Sequence, residues 1–196
     1  MRFYDVTEGE VLIDGINIKE ISTQELRKKI GYVPQKSLLF SGTIEENIRL
    51  GKIDATDEEV RIAAEVAQAM EIVEEKEKGF KSEMSQGGSN VSGGQRQRLS
   101  IARALVRKPE IYVFDDSFSA LDFKTDAKLR EALKTYTKES SMLIIAQRVS
   151  TIINSDQIIV LNDGNIVGIG KHQDLINNCE VYKETVYSQL SKEEIA

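Results

Sequence analysis

The chain has 196 residues, 40% of them hydrophobic, enough to bury one core with a smaller unit attached. A formal net charge of −6 and a pI near 5.1 argue against an electrostatic binder of nucleic acid and against peripheral docking on an anionic membrane. The longest apolar runs, such as Ile158-Ile159-Val160-Leu161, are strand-sized, no apolar segment follows Met1 as in a signal peptide, and the lone Cys179 fits a reducing compartment and a structural or incidental role, so a soluble intracellular chain is expected.

Val11-Leu12-Ile13 and Ile16-Asn17-Ile18 flank Asp14-Gly15, the two-residue turn signal of a β-hairpin. Ser22 or Thr23 then caps a short helix over 24–29, and residues 30–33 read as a strand ended by Pro34. From Thr43 the pattern turns helical and stays so through most of 57–78, whose charge-rich second half reads as a solvated face. Gly87-Gly88-Ser89-Asn90 breaks the run before a strong, arginine-rich helix over 95–106, stopped by Pro109. Residues 111–114 form a short buried-type strand that runs into two aspartates. A helix over 124–138 and a strand over 142–145 follow, then a hairpin of 157–161 and 165–169 about Asp163-Gly164, and a helical tail over 174–190. Buried strands alternating with helices predict an α/β fold with a mostly parallel sheet. The helical stretch 36–107 is expected as a separate all-α insertion between core segments 1–35 and 108–196.

Two motifs carry chemistry. Ser92-Gly93-Gly94-Gln95 places a serine and two glycines at a helix N-terminus, where free N–H groups and the helix dipole favour an anion. The plain alternative, a serine N-cap on an ordinary helix, is equally compatible with that stretch alone. The second motif shifts the balance. Four apolar strand residues deliver Asp115 to the C-terminal edge of a sheet, where nucleotide sites form in α/β folds. A carboxylate there can hold Mg²⁺ through its water shell, and its neighbour Asp116 can orient an attacking water.

With these motifs in order, the sequence resembles the ATP-binding cassette (ABC) ATPases along nearly its whole length. Ser92-Gly93-Gly94-Gln95 is similar to the family signature, and residues 111–115 to its Walker B strand. Ser119-Ala120-Leu121-Asp122 resembles the D-loop, and Gln35, after Gly31-Tyr32-Val33-Pro34, the Q-loop glutamine. The stretch 39–48 resembles the exporter branch, whose Q-loop region meets the membrane subunits. The resemblance implies a P-loop NTPase-like fold and a chain that couples ATP binding and hydrolysis to export. It implies a cytoplasmic location on the membrane, with a second nucleotide-binding domain and a transmembrane domain as partners. Two such domains sandwich two ATP molecules head to tail, so Ser92, Gly93, Gly94 and Gln95 serve the partner's nucleotide. Asp115 and Gln35 bear indirectly on Mg²⁺, and Asp122 lies in the nucleotide interface. His172 falls in the family's Gly-x-His stretch, which is structural.

Three departures stand out. No Gly-x-x-x-x-Gly-Lys-Ser/Thr occurs, and Met1 falls where the family has just finished its P-loop helix, so the chain is expected to be truncated and inactive alone. Asp116 stands where the family has a catalytic glutamate. Losing one methylene retracts the carboxylate by roughly 1.5 Å, and a shift near 1 Å can cost about 10²-fold in rate. Gln147 stands where the family has its switch histidine, and an amide can donate to a γ-phosphate but cannot accept and pass a proton. Gln86 replaces an acidic residue common before the signature. Together Asp116 and Gln147 suggest the degenerate half of a heterodimeric exporter. Three alternatives remain: a poorly active homodimer, a non-transport ABC ATPase, opposed by the exporter-like stretch, and a catalytically dead remnant acting as an interaction module.

Overall fold

A computed structural model describes residues 1–190 and resolves the chain into two compact units, Met1–Ile145 and one beginning at Ala146. In the first, β1 (Leu12–Ile13) and β2 (Ile16–Asn17) pair antiparallel. Their turn puts Asp14 at φ 51° and Gly15 at φ 76°, the left-handed pair that a tight hairpin requires. Helix α1 (Thr23–Lys29) starts at Ser22, whose hydroxyl accepts from the Glu25 N–H, and closes on Arg27, Lys28 and Lys29, which suit the negative end of its dipole. Strand β3 (Ile30–Val33) follows at once.

The stretch read as helical from Thr43 through most of 57–78 is several short helices. After β4 (Gly42–Thr43) come α2 (Ile44–Arg49), α3 (Asp57–Val66) and α4 (Met70–Glu74), then β5 (Glu83–Met84), which pairs antiparallel with β4. Thr43 with Glu46 and Thr56 with Glu59 form reciprocal capping boxes that start α2 and α3 afresh. Helix α5 (Gly93–Leu105), β6 (Ile111–Asp115), α6 (Phe123–Tyr136) and β7 (Ser141–Ile145) complete the unit. At Gly51 a Cβ would lie 1.9 Å from the Arg103 carbonyl oxygen, so a glycine is needed where the chain after α2 crosses α5.

Strands β3, β6 and β7 form a parallel sheet in that order, with Tyr32, Val113 and Leu143 in register. One face, carrying Val33, Tyr112 and Phe114, is buried in a single apolar cluster that extends through Ile44, Ile48, Ala63, Ile72 and Leu99 to Leu129. The helical stretch therefore shares its core with the sheet. The other face is more open: Leu143 and Ile145 on β7 are 54% and 45% exposed. Among the described residues β7 has no strand on its outer edge.

The second unit holds α7 (Val149–Ile152), the hairpin of β8 (Ile158–Asn162) and β9 (Asn165–Gly170), α8 (His172–Asn178) and α9 (Glu180–Gln189). Its core is Val149, Ile158, Leu175, Tyr182 and Val186. The tail expected as one helix is two, because Cys179 adopts an extended conformation (φ −130°, ψ 102°) between them. Buried Cys179 packs against β9, where a Cβ on Gly168 would meet its sulfur at 2.9 Å. His172 is likewise structural in its surroundings: its Nδ1 lies 2.9 Å from the Tyr182 hydroxyl, and burial holds its pKa below the ordinary value. Among the described residues no helix is long and apolar enough to cross a membrane.

Candidate functional site

The C-terminal ends of β3 and β6 lie side by side, and the acidic pair leaves the sheet there. Asp115 is the last residue of β6, and its Oδ2 accepts a hydrogen bond from the Tyr32 hydroxyl at 3.0 Å. Burial first, then this bond to a carboxylate, raises the Tyr32 pKa and keeps the phenol a donor. The next residue, Asp116, turns out of the strand at φ 46°, while its N–H still donates to the Ile145 carbonyl of β7 at 2.8 Å. Its carboxylate accepts from the Gln35 side-chain amide at 3.1 Å. The two acids thus have separate partners, both drawn from β3 and the loop after it.

Below them sits Ser117, fully buried, whose hydroxyl donates to the Val33 carbonyl at 2.9 Å. It fastens the turn after β6 to the end of β3. Neither Tyr32 nor Ser117 was singled out from the sequence. Tyr32 carried the weaker signal of a polar tip on an otherwise apolar strand beside Pro34-Gln35.

The loop that carries Gln35 is fixed from the other side by α5. Ser37 donates to the buried Gln97 at 2.7 Å, and the Gln97 amide reaches the Pro34 carbonyl at 3.5 Å. A chain of side chains therefore runs from α5 through the Gln35 loop to Asp116.

At the start of α5, Ser92 is the N-cap. Its hydroxyl accepts from the Gln95 N–H at 3.2 Å, and the Gln95 side chain accepts from the Ser92 N–H at 2.9 Å. Arg96 secures the approach, donating to the Gly88 and Val91 carbonyls at 2.9 and 2.8 Å. Ser92 and Gly93 face solvent. The two glycines have different constraints. A Cβ on Gly93 would meet nothing closer than 3.9 Å, whereas one on Gly94 would lie 3.1 Å from the Ala120 carbonyl oxygen. Close packing against the loop before α6 restricts Gly94, so the open space at this turn is at Gly93.

That loop ends at Asp122, the N-cap of α6, whose carboxylate accepts from the Thr125 N–H at 3.0 Å. This backbone bond holds its pKa below the usual carboxylate range. Gln86 has a local partner too, accepting from the Ser41 N–H at 3.3 Å.

Tyr32, Gln35, Asp115 and Asp116 thus form one polar cluster, and Gly94 brings the Ser92–Gln95 turn against Ala120. Gln147 belongs to the second unit. Its carbonyl accepts from the Gln189 amide at 2.8 Å, the same side chain accepts from the Val149 N–H at 2.9 Å, and the Gln147 side chain is exposed.

The donor set is one of carboxylate and amide oxygens, which suits a hard cation such as Mg²⁺ that keeps several waters. Among the described residues no cluster of three or more His, Cys, Asp or Glu could hold a metal unaided. A cation here would need further oxygens, such as those of a nucleotide's phosphates.

The chain is similar to known proteins along nearly its whole length. The family described as ABC transporter matches residues 1–119. An uncharacterized ABC transporter ATP-binding protein of Mycobacterium tuberculosis strain H37Rv is 47% identical over 191 residues, 96% of this chain and 32% of that protein. A putative multidrug export ATP-binding/permease protein of Staphylococcus aureus strain NCTC 8325 is 46% identical, over 95% of this chain and 32% of its own length. A bacterial Atm1-family ABC exporter solved with ATP bound superposes with a TM-score of 0.94 at 38% identity, covering 97% of this chain and 34% of that one. The chain spans about a third of the length of the relatives it matches.

Proposed function

Because this chain belongs to the ABC transporter family, with its mixed α/β, P-loop NTPase-like fold, we propose that it is the nucleotide-binding part of an exporter and works in a pair. The observation that carries this reading is the cluster at the ends of β3 and β6, where Gln35 and Asp116 bond to each other beside Asp115. In the assembled protein Asp115 and Gln35 would hold Mg²⁺, which would supply charge neutralisation at the phosphates, and Asp116 would orient an attacking water. Gln147, by its place in the family pattern, would donate to a terminal phosphate. Ser92, Gly93, Gly94 and Gln95 reach a second domain's ATP, with Asp122 in the interface between the two. No stretch of these 196 residues has the Gly-x-x-x-x-Gly-Lys-Ser/Thr pattern of a phosphate cradle. A transmembrane domain is the other partner, and the cytoplasmic face of the membrane is the setting.

We further read the site built around Asp115 as the weaker of two. Asp116 carries a shorter arm than a glutamate, and Gln147 cannot relay a proton. ATP is held there longer than it is cleaved. Division of the chain into core segments 1–35 and 108–196 and a helical insertion over 36–107 belongs to the same proposal. The test is to load the assembled pair with radiolabelled ATP, remove free nucleotide and identify what each site retains. Intact ATP retained at this chain's site, with ADP at the partner's, is the expected result. ADP at both sites would overturn the weak-site assignment, and no retained nucleotide would overturn the function.

A further inference from the structure

Gln97 is a polar side chain in a place where packing alone does not call for one. It lies in the second turn of α5, is 3% exposed, and has no capping role, since Ser92 and Gln95 close the start of that helix. A buried amide costs free energy unless its donors and acceptor are bonded. The partners of Gln97 come from far along the chain and flank a single residue. The Ser37 hydroxyl at 2.7 Å and the Pro34 carbonyl at 3.5 Å stand on either side of Gln35. A proline carbonyl only accepts, so the Gln97 amide nitrogen faces Pro34 and its oxygen takes the Ser37 hydroxyl.

These bonds act on the backbone that delivers Gln35. The ring of Pro34 fixes its φ, and the Pro34 carbonyl belongs to the rigid peptide plane leading into Gln35. With that carbonyl held by Gln97, and the Val33 carbonyl held by Ser117 at 2.9 Å, the chain has little freedom in where it places the Gln35 Cα. Gln35 itself is exposed, so burial does not select its rotamer. Its bond to the Asp116 carboxylate at 3.1 Å therefore depends on where its backbone stands.

We propose that Gln97 is a positioning residue of this cluster, holding the loop from both flanks so that the Gln35 amide meets Asp116. Helix α5 then carries both the Ser92–Gln95 turn and the side chain that sets Gln35. Displacement of that helix displaces the Gln35–Asp116 pair with it. The geometric part of the proposal stands on the chain alone, and its bearing on nucleotide rests on the function proposed above.

The first arm of the experiment uses the 196-residue chain, labelled with heavy nitrogen at its glutamines. Nuclear magnetic resonance reads the side-chain amide signal of Gln35, identified by its loss in Gln35→Ala. Asp116→Ala should displace that signal. Gln97→Leu, which keeps most of the side chain's bulk and removes its polar atoms, should displace it too. Ser37→Ala is a milder probe from the loop side, and Ser37→Thr, which keeps the hydroxyl, should leave the parent signal. Thermal melts check that each variant is folded. A Gln35 signal that Gln97→Leu and Ser37→Ala leave in place overturns the proposal. The second arm loads the assembled pair with radiolabelled ATP and follows its release from this chain's site. Gln97→Leu and Gln35→Ala should each speed release by about fivefold, the factor set by one ordinary hydrogen bond. The double variant should be no faster than either. Effects that multiply in the double variant overturn the proposal, because a residue that only supports the fold acts independently of Gln35. A parent pair that retains no ATP counts against the function proposed above, and the first arm then decides this proposal by itself.

Discussion

The side-chain amide of Gln35 donates to the Asp116 carboxylate across 3.1 Å, joining the loop after β3 to the residue after β6. In this arrangement the Asp116 carboxylate accepts from an amide and that of Asp115 from a phenol. Both acids are poised but neither faces a phosphate cradle within these residues. MgATP titrated into the 196-residue chain alone should therefore bind more weakly than about 10 μM, a loss of several kcal/mol against a complete site. Calorimetry showing micromolar or tighter binding would refute this.

Substitutions in the assembled pair should act asymmetrically. Gly93→Asp adds a carboxylate in open space at the exposed start of α5, where the proposed pairing brings a partner's phosphate. Steady-state ATPase should fall more than about tenfold through charge repulsion. On the weak-site proposal, Asp116→Ala should change it less than about twofold. Equal damage from both would make Asp116 a working catalytic carboxylate. Gly93 is a cleaner probe than Gly94, where any Cβ already crowds the Ala120 carbonyl.

Stability should respond to the same elements without nucleotide. Ser92→Ala removes the N-cap of α5 and should cost about 1 kcal/mol in urea unfolding. Gly51→Ala forces a methyl into the Arg103 carbonyl and should cost about 1–3 kcal/mol. A Gly51→Ala variant as stable as the parent would mean the chain after α2 can move away from α5.

The buried His172 gives a pH dependence whose sign follows from its lowered pKa. Its unfolded value lies near 6.5 and its folded value below that, so the unfolded chain takes up the proton first. The contribution is fully present above pH 6.5 and is lost as pH falls through the folded value. Urea midpoints should drop between pH 7.5 and 5.5 by more in the parent than in His172→Phe. Identical slopes in the two proteins would show that His172 titrates freely.

Among the described residues the outer edge of β7 is unpaired, with Leu143 and Ile145 exposed beside it. Strand edges of this kind template association. The 196-residue chain should self-associate at micromolar concentrations in light scattering, and Leu143→Lys should shift it toward monomer. A clean monomer for the parent chain would contradict this.

Elements with local signals were legible in the sequence. The Asp14-Gly15 and Asp163-Gly164 turns, the Ser22 cap and strands 30–33 and 111–114 all fall where their residues dictate. The β4–β5 pair was not, since two-residue strands some forty positions apart leave no periodicity. Nor was the break at Cys179, which reflects packing on β9 rather than a helix-stopping residue. Within the site, Gln35, Asp115 and Asp116 were recognisable by motif. The roles of Tyr32 and Ser117 depend on contacts more than eighty residues apart, which spacing alone cannot reveal.

The backbone at Asp116 bears on why an aspartate stands there. A φ of 46° lies in the left-handed region, which costs an ordinary L-residue about 1–2 kcal/mol and which Asp, with its short polar arm, visits more readily than Glu. The turn itself thus favours the shorter acid, independently of any chemistry performed on a nucleotide. Lengthening the arm by Asp116→Glu sets reach against conformation. Its gain in hydrolysis should come with a lower melting temperature, so this residue is a point where the fold and the reaction make opposing demands.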